Sequence, residues 1–241
     1  MTNDLVQTWL NCDGYYCCPK NNTGKRLGPL VGYAGKYDAP DGTEKRFVGD
    51  VYWNFARVEQ CPEILDYFAA VLAKNIRQTD LKPTLLLAAP MGGILLAGIL
   101  GSKLGVRTIF AEKKVTAIAT PDKREESKLV VDRHNIGRNS KVLIVEDTCH
   151  NFSTTKELVG LISCTGSTSI GIACALNVSE KCIYYLRPIF SSIYLPTKQW
   201  RQDDPAVQED ISKGNVVWKP KDDWDELVAT MKEKRLNKSS T

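Results

Sequence analysis

Apolar residues along the middle of the chain occur either as helically spaced stripes or as short continuous runs. In "CPEILDYFAAVLAKNI" (61–76), apolar side chains recur every three or four positions, and proline and glutamate stand in the first turn, which predicts a helix. The runs "TLLLAA" (84–89), "VLIV" (142–145) and "SIGIACALNV" (169–178) are typical of strands that are buried on both faces. Strands that alternate with helices predict an α/β fold, with a parallel twisted sheet flanked by helices.

The segments between and after these runs continue the same pattern. The tight loop "PMGG" precedes the apolar stretch "ILLAGILGSKL", which predicts a helix that ends near Gly105. After it, "RTIFAE" (107–112) predicts a second strand, and "IFSSIYL" (189–195) predicts another strand further along. A terminal helix is predicted from Trp224 to about Arg235.

Two stretches depart from this alternation. Residues 1–58 hold frequent glycines and short apolar runs, which predicts a small β-rich N-terminal hood, and residues 59–241 are then the α/β core. Within the core, residues 114–135 are polar, with β-branched residues on both sides of "PDKREE". Because loops of this length inside a compact domain are usually functional or disordered, we interpret this segment as a flexible hairpin or lid.

Two carboxylates stand at the end of the run 142–145. Glu146 and Asp147 follow the predicted strand directly, and a loop rich in small polar residues leads to a helix that is predicted to begin near Lys156. In a parallel α/β sheet, ligands bind beyond the carboxyl ends of the strands, and the free N–H groups of a helix N-terminus bind anions. The segment therefore predicts a ligand with hydroxyls or a metal near the acids and a phosphate near the loop, such as a phosphorylated sugar. The alternative is an ordinary turn followed by an N-cap at Ser153.

Composition and charge limit the classes of function. The chain of 241 residues has a net charge of +4, and its basic residues are scattered, which fits a small anionic ligand better than nucleic acid. No apolar run approaches the roughly 20 residues of a membrane helix. The stretch "MTNDLVQTWLNCDGYY" lacks the basic start and the long apolar core of an export signal. We therefore expect a cytoplasmic protein with neither a membrane nor a nucleic-acid partner.

Eight cysteines raise the question of a metal site. Cys12, Cys17 and Cys18 lie within seven residues and could bind zinc, although their spacing is not that of paired Cys-x-x-Cys motifs. The alternative, which we favour, is that they are structural thiols in an irregular N-terminal segment.

The strand, the two acids and the loop that follows, "VLIVEDTCHNFST", resemble the signature of the type I phosphoribosyltransferases. "LLLAAPMGGILLAGILG" resembles the pyrophosphate loop of this family and the helix after it, and "IFAEKK" with the polar segment behind it resembles the basic strand and flexible catalytic loop. Near the front, "NNTGKRLGPLVGY" is similar to the hood of orotate phosphoribosyltransferases. The resemblance extends over most of residues 20–195.

This resemblance implies an enzyme that transfers ribose 5-phosphate from phosphoribosyl pyrophosphate (PRPP) to a nitrogenous base, foremost an orotate-like pyrimidine. Glu146 and Asp147 would be catalytic, hold the ribose hydroxyls and shape the environment of a Mg²⁺ cofactor, and Lys113 would neutralise the leaving pyrophosphate. The family implies a homodimer. The other residues implied in PRPP binding are Met91, Gly92, Gly93, Lys114, Lys123, Arg124, Asn151, Phe152, Ser153, Thr154 and Thr155.

The loop after the acids departs from the family pattern. Asn151 and Phe152 stand where the family usually has threonine and glycine, so that either the loop backbone still binds phosphate with Phe152 turned outward, or the pocket has shifted. His150 is either a proton shuttle or a bystander, and we favour the bystander. These departures leave two alternatives open: a non-catalytic PRPP or nucleotide sensor on the same fold, and a phosphoribosyltransferase for a purine or another base.

Overall fold

The computed structural model describes residues 2–117 and 126–239. The predicted PRPP contacts Lys123 and Arg124 lie outside these residues. The chain divides into two compact units, one made of Met1–Val58 and Thr197–Thr241 and the other of Glu59–Pro196.

Helices and strands follow one another along the described chain in a mixed order. They are α1 (Thr2–Asn11), β1 (Tyr15–Cys17), β2 (Leu30–Asp38), β3 (Glu44–Gly49), β4 (Val51–Trp53), α2 (Phe55–Val58), α3 (Pro62–Arg77), β5 (Leu85–Ala88), α4 (Gly93–Leu104), β6 (Thr108–Phe110), β7 (Glu112–Ala117), β8 (Glu126–Val130), β9 (Lys141–Cys149), α5 (Ser153–Cys164), β10 (Thr168–Asn177), β11 (Ile183–Tyr184), β12 (Arg187–Tyr194), α6 (Gln208–Ser212), β13 (Val216–Val217) and α7 (Trp224–Ser239).

The unit Glu59–Pro196 is built on one sheet with the strand order β11-β12-β10-β9-β5-β6. Its neighbouring strands are parallel, except that β11 and β12 form an antiparallel pair at one edge. Helices α3, α4 and α5 pack on these strands. The predicted fold, a parallel sheet flanked by helices, is confirmed.

The core of this unit lies where the continuous apolar runs predict it. Leu85, Leu87, Val142, Ile144 and Ile172 are buried together in one cluster with side chains of α5. Because the central strands have neighbours on both sides and helices against them, nearly every side chain is buried rather than every second one.

Local signals set several of the element ends. Pro62 opens α3, and Gly105 ends α4 in the left-handed region, with φ 69°. Helix α5 begins at Ser153, three residues before the predicted start, because the left-handed residue Phe152 precedes it. The end of β9 also lies further on than the apolar run, at Cys149.

The predicted hairpin is present in the described part of residues 114–135. Strands β7 and β8 pair antiparallel, with Lys113 opposite Leu129. Beyond β8, Asp132 forms an ion pair with Lys114 at 3.0 Å. The backbone N–H of Leu129 donates to Glu157 Oε1 on α5 at 2.5 Å, so the base of the hairpin is tied to that helix.

The other unit combines the N-terminal residues with the end of the chain. The structure thus places residues 197–241 with residues 1–58, and not in the α/β core to which the sequence analysis assigns them. The physical reason is pairing and packing at long range: β13 adds to β2 as a parallel neighbour, and Trp224 and Met231 of α7 are buried against Tyr16. Patterns within a short window carry no signal of such contacts.

The predicted β-rich hood contains strands β1 to β4 but opens with a helix. Helix α1 is held by Trp9, which is fully buried and meets Trp53 edge-on at a ring distance of 5.1 Å. Among the described helices, none is long and apolar enough to cross a bilayer.

Candidate active site

The two acids predicted at the end of the β9 run lie at the carboxyl edge of the sheet. Glu146 is buried, with 7% of its surface exposed, whereas Asp147 is only partly buried. The hydroxyl of Thr155 on α5 donates to Glu146 Oε1 at 3.1 Å. Burial, and after it the charge of Asp147, raises the pKa of Glu146 to about 8, although the Thr155 hydrogen bond acts in the opposite direction. Glu146 is therefore mostly protonated at neutral pH, and Asp147 is the more accessible carboxylate.

The glycine loop 90–93 lies directly against these acids. A Cβ placed on Gly92 would lie 2.5 Å from Asp147 Oδ2, and one placed on Gly93 would overlap the backbone oxygen of Val145. At Gly93 the neighbour is backbone that cannot move aside, so that only glycine permits the approach there. The N–H of Gly93 donates to Ala89 O at 3.1 Å, so this predicted pyrophosphate donor is engaged within the protein, whereas Met91 is 81% exposed at the tip of the loop. The peptide bond between Pro90 and Met91 is cis.

The loop 150–155 forms the other side of the candidate site. Asn151 Oδ1 accepts hydrogen bonds from the N–H of Ser153 at 3.1 Å and from its hydroxyl at 3.0 Å. Phe152 has φ 60° and ψ 19°, the left-handed conformation that glycine adopts most easily. Ser153 is exposed and Thr154 half-buried at the start of α5, while Thr155, at 1% exposure, directs its hydroxyl to Glu146 instead of the loop surface.

The side chain of Phe152 is turned into the core of the unit. It is 5% exposed and stacks on Tyr184 with a ring distance of 4.6 Å and an interplanar angle of 16°. The backbone of the loop thus keeps a conformation that glycine would adopt, at a cost of about 1–2 kcal/mol for a residue with a Cβ.

The predicted cations occupy different surroundings. Lys113 and Lys114 lie exposed on β7, which begins just after β6 reaches the same sheet edge, and Lys114 is paired with Asp132. The N–H of Ala111 donates to Ala88 O at 3.0 Å, which fixes the start of the hairpin beside the glycine loop.

His150 is half-buried between the acids and the loop. Its burial lowers the pKa of the imidazole to about 4, so the ring is neutral at physiological pH. A neutral imidazole adds no positive charge for phosphate binding.

The acids at the sheet edge are the candidate ligands of a Mg²⁺ ion. Mg²⁺ takes oxygen ligands, keeps several waters and is usually held by one or two carboxylates together with substrate oxygens. Asp147 supplies such oxygens at the sheet edge, whereas the buried Glu146 would do so only after it loses its proton. Within residues 2–117 and 126–239 no three His, Cys, Asp or Glu side chains gather into a metal cage. The residues fit a Mg²⁺ that is bound together with a phosphorylated substrate.

The N-terminal cysteines form no such group among the described residues. The thiol of Cys18 donates to the carbonyl of Gly28 at 3.1 Å.

The sequence analysis did not predict the residues that contact Phe152 in the loop 150–155. Tyr184 and Lys181 belong to "KCIYYLRP", where a strand of two residues is too short for a periodic pattern. The turn between β11 and β12 has Tyr185 and Leu186 at positive φ, so it also lacks the glycine or asparagine that signals such a turn.

Comparison with known proteins agrees with this geometry. The phosphoribosyl transferase domain family matches residues 56–208. The chain belongs to the phosphoribosyltransferase family, and the resemblance to its type I members is confirmed.

The relatives in sequence and in structure differ in the substrates that their names state. An orotate phosphoribosyltransferase of Caldanaerobacter subterraneus subsp. tengcongensis is 26% identical over 164 residues, which cover 67% of this chain and 80% of the relative. One of Chlorobaculum parvum is 28% identical over 161 residues, which cover 66% and 77%.

Two solved structures share the fold at low identity. A UMP synthase of Leishmania donovani has a TM-score of 0.53 at 13% identity and covers 95% of this chain and 41% of its own. An adenine phosphoribosyltransferase of Trypanosoma brucei, in complex with AMP, pyrophosphate and ribose 5-phosphate, has a TM-score of 0.51 at 14% identity and covers 78% of this chain and 79% of its own.

Proposed function

We propose that this protein transfers ribose 5-phosphate from PRPP to orotate or a related pyrimidine and releases pyrophosphate. The observation that carries the proposal is the contact of Gly92 with the carboxylate of Asp147, which puts an open glycine loop and an accessible acid side by side. The start of α5, with its loop in a left-handed conformation, completes a strip of acid, glycine loop and anion-binding helix end. A phosphorylated pentose with a second polyanion on its anomeric carbon matches this strip.

The reaction exchanges one bond at the anomeric carbon for another. The carbon–oxygen bond to pyrophosphate breaks, a carbon–nitrogen bond to the base forms, and negative charge collects on the leaving group. Asp147 would accept hydrogen bonds from the ribose hydroxyls and hold the sugar in line. Lys113, exposed on β7, would neutralise the departing pyrophosphate. Protonated Glu146 accepts a hydrogen bond from Thr155, and this bond would fix the part of β9 that carries Asp147. Bound Mg²⁺ would supply electrostatic stabilisation of the pyrophosphate oxygens.

The choice of orotate rests on the names of the sequence relatives. The proposal includes a homodimer, which the family resemblance implies and light scattering would check.

The test is an assay of PRPP-dependent pyrophosphate release with Mg²⁺ across orotate, uracil, adenine, guanine and hypoxanthine, with the nucleotide product separated by chromatography. We expect turnover with orotate. Asp147→Asn should lower kcat/KM by about 100-fold or more, as the loss of a group that acts on the transition state does. Asp66→Asn is the matched control, since that acid pairs with Lys103 on the surface of α3 and α4 and should leave the rate unchanged.

The outcomes separate the alternatives. Turnover with a purine alone would keep the transferase and replace the base. PRPP binding by calorimetry without turnover for every base would indicate the sensor. Absence of PRPP binding would overturn the proposal.

A further inference from the structure

The loop before α5 keeps a strained backbone without the residue that would relieve the strain. Phe152 carries a Cβ in the left-handed region, and its carbonyl accepts the hydrogen bond from Lys156 N at 2.8 Å that closes the first turn of α5. A residue in this conformation persists only when its surroundings hold it there. Contacts of Phe152 with its neighbours must therefore stabilise this conformation.

The side-chain contact of Phe152 is the flat face of Tyr184. The two rings are nearly parallel, and both are buried, with 5% and 8% exposure. The ammonium of Lys181 lies 5.8 Å from the centre of the Phe152 ring and 5.9 Å from that of Tyr184, so it stands beside the stacked pair at a similar distance from both rings.

The segment that carries Tyr184 is itself braced at the end of β10. Asn177, at 1% exposure, donates through Nδ2 to Lys181 O at 2.8 Å and accepts from the N–H of Ser179 at 3.0 Å and from its hydroxyl at 2.7 Å. The N–H of Val178 donates to Cys149 O at 3.0 Å, which ties this turn to the residue before the loop 150–155. Tyr184 is therefore held on a fixed support next to the loop.

We propose that Tyr184 is a positioning residue for PRPP binding, which stabilises the anion-binding conformation of the loop by stacking on Phe152. The inference deepens the proposed function and rests on it. Glycine would reach the same conformation without help, so the need for Tyr184 follows from the presence of a side chain at position 152. If the stack is lost while the Cβ remains, the loop relaxes and its N–H groups turn away from the phosphate.

The test is a double-mutant cycle on the full chain. Dissociation constants for PRPP are measured by calorimetry with Mg²⁺, together with KM and kcat on the base that the wild type uses, for the wild type, Tyr184→Ala, Phe152→Gly and the double variant. We expect Tyr184→Ala to weaken PRPP binding by about tenfold, equivalent to about 1.4 kcal/mol, with kcat at saturating PRPP within about twofold. In the Phe152→Gly background the same change should have an effect below about twofold, because glycine needs no support.

Two controls separate positioning from general stability. Tyr184→Phe keeps the ring and should bind as the wild type does. Tyr67→Ala removes the same residue type from α3, where the residue is 48% exposed, and should also leave PRPP binding unchanged. Should Tyr184→Ala fail to fold, Tyr184→Leu keeps apolar volume without a stacked ring and serves in its place.

The possible results point in different directions. A Tyr184→Ala variant that melts at a lower temperature but binds PRPP as the wild type does would overturn the inference and leave the proposed function standing. An undiminished effect in the Phe152→Gly background would overturn it as well. If the wild type binds no PRPP, the proposed function fails and the inference fails with it.

Discussion

The two loops on either side of Asp147 reach the same sheet edge by opposite means. The loop 90–93 approaches the acid closely because Gly92 and Gly93 have no side chain to keep it away. The loop 150–155 contains no glycine. Phe152 takes the left-handed conformation there because its ring is buried against Tyr184. The loop 90–93 therefore depends on the absence of side-chain atoms, and the loop 150–155 depends on a buried side chain. Adding atoms should damage the first loop, and removing atoms should damage the second.

Removal of the Phe152 ring is the largest expected perturbation. Phe152→Ala takes away a buried ring but keeps the Cβ that makes the left-handed conformation costly. The free energy of unfolding should fall by about 3–5 kcal/mol, as for other buried phenylalanines. Urea unfolding monitored by circular dichroism measures it.

Phe152→Gly is the matched variant for that measurement. It loses the same ring but permits the backbone, so it should be less destabilised than the alanine variant despite being smaller, by about 1 kcal/mol. An alanine variant as stable as the glycine variant, or more stable, would show that the backbone at position 152 is not strained.

In the glycine loop 90–93 we expect a loss of stability when atoms are added, and not when they are removed. Gly93→Ala places a methyl group on the backbone oxygen of Val145, in the middle of the sheet, where no side chain can rotate away. We expect a loss of about 2–3 kcal/mol in unfolding free energy, measured by urea unfolding.

The control for Gly93→Ala lies on the same helix. Gly98 is exposed within α4, and a Cβ there would meet nothing within 4 Å, so Gly98→Ala should raise stability by about 0.5–1 kcal/mol. If both alanines stabilise the protein, the close approach at Gly93 is not required.

The sequence predicts the first loop better than the second for a physical reason. Local signals report local requirements: "PMGG" after an apolar run indicates a turn with little room, and the structure has one at that place. The position of Glu146 and Asp147 is predicted for the same reason, because they follow the buried apolar run directly and β5 ends beside Val145.

The second loop depends on contacts that no short window contains. The left-handed conformation of Phe152 is supported by Tyr184, more than thirty positions away, and phenylalanine is not a residue from which positive φ is expected. The assignment of residues 197–241 fails in the same way, since β13 is a pair of valines whose meaning comes from its pairing with β2.

Glu146 lies in β9 just beyond the end of β5, and its titration should make the stability of the protein depend on pH. Its pKa is raised to about 8, so over the range from its ordinary value to about 8 the folded protein holds a proton that the unfolded chain has released. The stabilisation is complete below the ordinary pKa and is lost as pH rises toward 8, by at most about 1.4 kcal/mol per pH unit.

Urea unfolding of the ligand-free protein between pH 6.5 and 8 measures this slope. His150 is neutral in the folded protein but partly protonated in the unfolded chain near pH 6.5, which adds a slope of opposite sign in every variant that keeps it. Glu146→Gln keeps an oxygen that accepts from Thr155, so the slope due to Glu146 is the difference between the wild type and this variant. Parallel curves for the wild type and this variant would show that another group titrates.

Gly92→Ala is expected to have the smallest effect on stability and the clearest effect on chemistry. Its methyl group would lie 2.5 Å from Oδ2 and 2.8 Å from Cβ of Asp147, so the carboxylate must rotate away and the loop must shift slightly, at a cost of about 1 kcal/mol. The displaced carboxylate would no longer face the glycine loop, and kcat/KM for PRPP should fall by at least about tenfold while the melting temperature stays close to that of the wild type.

The comparison with Asp147→Asn decides the cause: if Asp147 is what Gly92 protects, the double variant should be no slower than Asp147→Asn alone. Additive losses would mean that Gly92 acts on the substrate through its own backbone. The missing side chain at position 92 would then make room for the ligand and not for Asp147.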